Sequence, residues 1–436
     1  MTENPRSTEE LSHQGFAAEQ VPESAQGSGW RIFLIVAGSL CGLPVFVLST
    51  RVFGSLGFVR GVEAALIGAA ISATLAFCTA YTGSRTRMGL ALLADRTFGS
   101  VGGRIVKLVI ALSLIGWFAV NIGVLGATAG SALSRMTDIA VPPLAIALPA
   151  AALIAAMTLR GATGLERLGA VLVPVTVVLL IVSVVMVMPR WGSVAAAAGS
   201  ESLPFGAAVS AIVGSYIVGI VIQPDYGRFV RRPGHAGLGA AVALGVGYPI
   251  VLIFASLASL AIGAPELITA MIILGLGAPA LVVLLIGAWI DSAACLYSAS
   301  LSMVSQFPRW RIAWVICAIS LLGAMLVILG AEQAFIPFLL ALGVSLPPLA
   351  AIFILSMGRS GLTQTAGSPA TRALAIAPTL AWLIGTVVGA LALEGVVVVT
   401  HLPALDSILA AAGTLLVAQA VMRRTHRTAA KAPATT

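Results

Sequence analysis

In a chain this apolar, the residues able to do chemistry are few enough to name. Of 16 acidic residues, 15 fall in polar tails, in loops or near the ends of apolar stretches. The exception is Asp291, in the middle of such a stretch between Ile290 and Ser292. A charge at membrane depth costs about 3 kcal/mol or more, so an acid retained there is read first as a cation ligand or a proton-carrying carboxylate. The alternative is a carboxyl kept protonated and hydrogen-bonded to a neighbouring hydroxyl or backbone group. His13, His235, His401 and His426 are all peripheral, which leaves Asp291 as the obvious proton carrier. A second group could hold a flat solute. Aromatic residues make up only 6% of the chain, and Trp117 and Tyr216 lie at mid-depth, Tyr216 directly after Gly214 and Ser215. An indole face and a phenol ring can sandwich a heterocycle, with plain core packing as the alternative for each. Asn121 follows Trp117 by one helical turn on the same face, and its amide either ties helices together or meets solute. Asp225 and Arg228, between Pro224 and Phe229, read as a structural or gating pair at the end of an apolar stretch. No phosphate-binding loop, zinc-protease motif or acidic metal motif is present, so no enzyme chemistry is expected.

These residues must be positioned by membrane helices. The chain is 59% hydrophobic and 9% charged, with a mean hydropathy of +1.05, against roughly a quarter charged residues in soluble proteins. Its apolar matter comes in stretches of about 20 residues, the length of a helix that crosses a bilayer. Twelve spans read as 31–52, 59–83, 104–128, 141–160, 167–188, 205–226, 236–262, 278–306, 311–330, 334–356, 373–397 and 404–421, with 265–276 too short to cross. The net charge of +8 suggests a topology, not a nucleic-acid partner. With both termini placed in the cytoplasm, 20 of the 24 Lys and Arg residues fall on that side and only Arg51, Arg60, Arg135 and Arg190 outside, as the positive-inside rule requires. The expected location is therefore the inner membrane, with both ends cytoplasmic. Cys41, Cys78, Cys295 and Cys317 all lie in apolar spans and imply no disulfides. Residues 1–29 read as a disordered polar tail without signal-peptide layout, residues 30–422 as the transmembrane domain, and 423–436 as a basic tail.

Two spans carry helix breakers where a carrier would use them. Span 1 has Gly42, Leu43 and Pro44 at mid-depth, and span 6 has Gly214, Ser215 and later Pro224. Spans 1 and 6 open the two halves of a five-plus-five repeat (about 31–188 and 205–356), and paired interruptions point to a midplane binding site. Residues 341–348 break span 10 in the same way.

Taken together, these motifs resemble the nucleobase:cation symporter-1 family, in particular its cytosine/purine permease branch. The resemblance runs from about Trp30 to Met422. It is carried by Gly116, Trp117 and Phe118 in span 3, by Gly214, Ser215 and Tyr216 with Pro224 to Phe229 in span 6, by Leu296, Tyr297 and Ser298 in span 8, and by Pro347 and Pro348 in span 10. It implies an all-α leucine-transporter-like fold, five-plus-five inverted repeats with two extra C-terminal helices (about 373–421), and alternating access around a midplane site. Carried over by position, Trp117 and Tyr216 would stack on the two faces of the heterocycle. Gly214, Ser215, Asn121 and Ser292 would offer it polar contacts. A sodium ion, in members that use one, would lie between span 1 carbonyls, here Gly38 and Gly42, and hydroxyls of span 8. This chain departs from the family there: Ile290 and Asp291 stand at two of the hydroxyl positions and Ser292 at an amide position. A carboxylate in place of a neutral ligand suggests proton coupling. The expectation is a monomeric symporter for a nucleobase or related planar heterocycle. Its partners would be a small-molecule substrate and the lipid bilayer, with no nucleic acid, and its coupling ion a proton or sodium with no other cofactor. An amino-acid, amine or vitamin-precursor carrier of the same fold is the alternative, and a channel a more distant one.

Overall fold

A computed structural model describes residues 21–22, 26–160, 165–264, 266–307, 309–360 and 373–429. Among the described residues every regular element is helical, and the only β feature is an isolated bridge between Gly27 and Val230. Among the described residues nine helices are long and apolar enough to cross a membrane, and Pro143–Leu159 and Ile312–Ile328, shorter by a residue, supply spans 4 and 9. Span 1 completes the twelve in two pieces. The most extensive contacts between helices join spans 1 and 2 to span 6, span 3 to span 8, and span 11 to span 12. The outward surface is apolar: Leu112, Val185, Leu321 and Val417 are all exposed, as lipid contact requires.

The break in span 1 follows from its residues. Helix Trp30–Ser39 stops at Leu40, and a second helix starts at Leu43 with Pro44 in its first turn. Proline lacks the N–H that a continuing helix would need but suits a helix start. Gly42 between them is extended, at φ −75° and ψ 147°. The helix begun at Leu43 runs on to Thr86 through a turn at Gly57, whose φ of 75° disfavours a side chain and whose Cβ would lie 2.6 Å from the Ala197 carbonyl. That turn separates spans 1 and 2.

Span 3 lies within helix Leu90–Thr137, which bends at Gly99 (φ 82°), so the span proper is preceded by a short helix not foreseen in the 104–128 reading. Span 7 is helix Pro233–Val242 and helix Tyr248–Ile262 joined by a π-helical turn, Ala243–Gly247. Pro249 explains the wider turn, because it offers no N–H to the carbonyl four residues back. The stretch too short to span forms helix Leu267–Ile273, buried along most of its length. Span 10 breaks at Leu346, inside the expected 341–348, between Phe335–Ser345 and Pro347–Ser360. The Trp382 indole of span 11 donates to the Ser345 carbonyl at 2.8 Å, meeting one of the backbone acceptors that the break frees.

Three expectations are corrected. Span 6 is one continuous helix, Phe205–Gly227, with no break at Gly214 and Ser215. Gly214 instead lets span 10 approach: an added Cβ would collide with the Leu339 carbonyl, and one at Gly343 with the Ser210 carbonyl. Small residues at such crossings are packing devices. The polar N-terminal segment is not free throughout. Val21 is fully buried and its N–H donates to the Arg87 carbonyl at 3.1 Å, while the Gly27 N–H reaches the Phe229 carbonyl at 2.7 Å. Residues 1–20 and 23–25 of that tail lie outside the described residues. At the other end, the last helix, Pro403–Ala429, extends through the first half of the expected basic tail.

Candidate functional site

The centre of the site is where span 8 meets the break in span 1. Asp291 lies in helix Gly277–Gln306, and its carboxylate faces Gly42: a Cβ there would sit 3.4 Å from Oδ2. One turn earlier in span 8, Gly287 fits close to the Cys41 carbonyl, 3.3 Å from where its own Cβ would be. A larger residue at either glycine would hold the two backbones apart. From span 3, Asn121 Nδ2 donates to Asp291 Oδ2 at 3.1 Å. A hydrogen bond to an ionised group contributes about 1.5–3 kcal/mol. The other end of the amide is unmet: Asn121 is fully buried and its Oδ1 has no hydrogen-bond partner. Leaving a buried acceptor unsatisfied costs about 1–3 kcal/mol, so such an atom is a place to look for a ligand.

Around this pair the predicted residues divide. Trp117 is buried one turn from Asn121, its ring edge-on to Phe338 of span 10 with centroids 5.5 Å apart and planes at 77°. Gly116 makes room for that contact, since a Cβ there would come within 2.7 Å of Phe338. The Tyr216 hydroxyl shares a 2.6 Å hydrogen bond with Ser39, at the C-terminal end of the first half of span 1. Its ring lies 6.4 Å from that of Tyr248 at a 47° tilt. Trp117 and Tyr216 make no ring contact with each other. Gly38 takes the Cys41 N–H on its carbonyl at 3.4 Å and has only Val173 near its α-carbon face.

Two predicted polar contacts are already committed within the protein. Ser292 is fully buried and donates to the Ala288 carbonyl at 2.6 Å in its own helix. Ser215 donates to the Ile212 carbonyl at 2.8 Å and also bonds the Tyr248 hydroxyl. Gly214 is enclosed by span 10. Among the described residues neither serine hydroxyl bonds to the Asn121–Asp291 pair.

Asp225 and Arg228 sit apart from the centre, and each ties the end of span 6 to another element. Asp225 Oδ1 accepts the Leu90 N–H at 2.9 Å, capping from outside a helix whose own N-cap is the glycine Gly89. Arg228, buried, donates from Nε to the Asp225 carbonyl at 3.2 Å and lies over the Phe229 ring. Its own carbonyl accepts from Gln26 of the N-terminal segment.

Ser39, Tyr248 and Phe338 escaped the sequence reading because hydroxyls and phenyl rings in apolar spans are ordinary; Ser39 could have been found from its place beside the break. Glu332 was also missed. It lies against Gly123 from the loop between spans 9 and 10, with one carboxylate oxygen buried and unpartnered.

Ser39 is exposed, and Tyr216 and Asp291 are half-buried, although all three are at span mid-depth. One turn on from Gly42, Phe46 is buried and lines a mostly apolar recess with Leu180, Met271 and Leu284.

A polytopic helical bundle with a broken first span and a half-buried acid at the break has the architecture of a membrane carrier. The chain belongs to the family of permeases for cytosine/purines, uracil, thiamine and allantoin, whose sequence model matches residues 20–416. It is a transporter and not an enzyme. Cytosine permease of Escherichia coli strain K12 is 26% identical over 297 residues, 66% of this chain and 68% of that protein. Among solved structures, the inward-facing conformation of Mhp1 superposes with a TM-score of 0.76 at 20% identity, covering 93% of each chain. Mhp1 in a closed conformation with bromovinylhydantoin bound, described as a nucleobase-cation-symport-1 family transporter, gives 0.74 at 18% identity, covering 94% of this chain and 96% of that one. The fold is thus the leucine-transporter-like inverted repeat with two further helices.

Proposed function

We propose that this permease is a secondary active symporter that imports a nucleobase or related planar heterocycle by alternating access, with Asp291 carrying the coupling proton. The observation that carries the reading is the placement of Asp291: a carboxylate held by Asn121 against the backbone break of span 1. Protonation and release there change the charge at the one place where span 1, span 3 and span 8 meet. The same position suits a cation held by the Gly38 and Gly42 carbonyls together with the carboxylate, so the choice between proton and sodium is an experimental one. Trp117, Tyr216 and Asn121 form the substrate surface in this reading. Gly214, Ser215 and Ser292 act as supports of that surface, and Asp225 with Arg228 as an end-of-span tie.

The charge distribution supports an inner-membrane protein with both termini in the cytoplasm, acting as a monomer on a small-molecule substrate. Labelled uptake of a nucleobase panel in cells, with proton and sodium gradients collapsed separately, tests the proposal. Uptake by the parent is expected to fall when the proton gradient is collapsed and to persist without sodium. Asp291→Asn is expected to lose pH-driven accumulation, and its retention would rule out the carboxylate as the coupling group. Accumulation of amino acids or amines in place of heterocycles would assign the chain to another carrier class.

A further inference from the structure

Resting on the substrate surface just proposed, we infer that Asp291 is also a positioning residue: it fixes which end of the Asn121 amide faces the substrate, and so selects heterocycles that present a ring N–H. Oδ2 of Asp291 accepts a hydrogen bond when the carboxylate is ionised and equally when the coupling proton sits on Oδ1, whereas a side-chain amide has one accepting and one donating end. With Oδ2 of Asp291 at 3.1 Å, the Asn121 NH2 group is the end that must turn towards it. The carbonyl end, Oδ1, is thereby left as a fixed acceptor, fully buried and without a partner, one turn from the Trp117 indole. Among the described residues no other group donates to that oxygen. Ser292, the nearest hydroxyl in sequence to Asp291, is spent on the Ala288 carbonyl, and Ser215 on Ile212 and Tyr248.

The titratable groups that interact with Asp291 are the Tyr216 phenol of span 6 and the Cys295 thiol one turn along its own helix. Span 1 contributes backbone at Gly42, and span 3 the amide itself. Among the described residues no cationic side chain pairs with the carboxylate, so its polarity acts on Asn121 directly. A lactam or imide N–H, as in oxopyrimidines, oxopurines and hydantoins, satisfies Oδ1. A ring atom that carries only a lone pair opposes it and leaves two acceptors face to face.

Full-length purified protein and equilibrium binding test this with pairs of heterocycles in which the only ring N–H is exchanged for an isosteric ring oxygen (2-pyridone against 2-pyranone, 2-quinolone against coumarin). The parent is expected to favour the N–H member by about tenfold or more, the range for a site whose buried acceptor is left unmatched. In Asp291→Asn the facing amide can donate or accept, so the preference should shrink to within about threefold. The exchange variant Asn121→Asp with Asp291→Asn again offers only acceptor oxygens at position 121 and should restore the preference. A preference unchanged in an Asp291→Asn protein that still binds would overturn the positioning role while leaving the symporter reading intact. Failure of the exchange variant to recover the preference, while it binds, would overturn the role equally. Absence of binding by either member of every pair in the parent would overturn both.

Discussion

One carboxylate, Asp291, lies at mid-span in a chain whose other acids fall in tails, in loops or near span ends, and its partners show how it is held. Asp291 touches an amide from span 3 and a glycine from span 1, so any change in its charge is felt by two helices at once. Tyr216 has a more limited task. Its hydroxyl bonds only Ser39, at 2.6 Å, and pins the end of the first half of span 1 to span 6. Tyr216→Phe removes one hydrogen bond of about 1 kcal/mol and is expected to raise the uptake KM about fivefold with little change in maximal rate; initial-rate uptake over a concentration series checks this. Gly42→Leu should abolish uptake outright, because the side chain would occupy the space taken by the Asp291 carboxylate. Membrane-inserted protein levels distinguish that loss from misfolding. Asp291 and Asn121 were each singled out from the sequence by the cost of burying them. Their pairing was not, because a contact across 170 residues leaves no trace in local spacing.

At the scale of elements, glycine proved ambiguous where proline did not. Pro44 and Pro347 each stand at the start of a second half-helix and mark real breaks, because a missing N–H acts on the backbone itself. Gly214 breaks nothing; it admits the Leu339 carbonyl of span 10. In a bilayer that tolerates close backbone approach, glycine is as much a packing residue as a breaker. Gly214→Leu is therefore expected to destabilise the protein by about 1–3 kcal/mol through overpacking, seen as a lowered Tm of the purified protein in detergent. Gly57→Ala should cost a similar amount for two reasons, a φ of 75° and a clash with the Ala197 carbonyl.

Over the whole molecule, the polar N-terminal segment and the loop ends on its side form one connected set. Val21 binds Arg87, Gln26 and Gly27 bind the Arg228 and Phe229 carbonyls, and Asp225 caps the helix that starts at Leu90. Asp225→Ala removes an external cap and is expected to lower stability by about 1 kcal/mol, readable as a shift in Tm. Val21→Asp should release the segment and raise its susceptibility to protease added from that face, because a charge replaces a fully buried valine. In single-cysteine variants, both ends of the chain should label from the same side of the membrane, as twelve spans require.

What the amino-acid sequence determined by itself is whatever depends on length, hydropathy and local covalent chemistry: twelve spans, the proline-marked breaks in spans 1 and 10, the lone mid-membrane acid, and a family resemblance that the comparisons bear out. These properties are set residue by residue against the solvent, so they can be read in order along the chain. What only the tertiary structure decided is which groups meet: Asn121 with Asp291, Tyr216 with Ser39, Trp117 with Phe338 instead of Tyr216, Gly214 with span 10. Those meetings depend on how helices distant in sequence cross, and one turn of difference along a helix decides whether a hydroxyl faces a substrate or its own backbone.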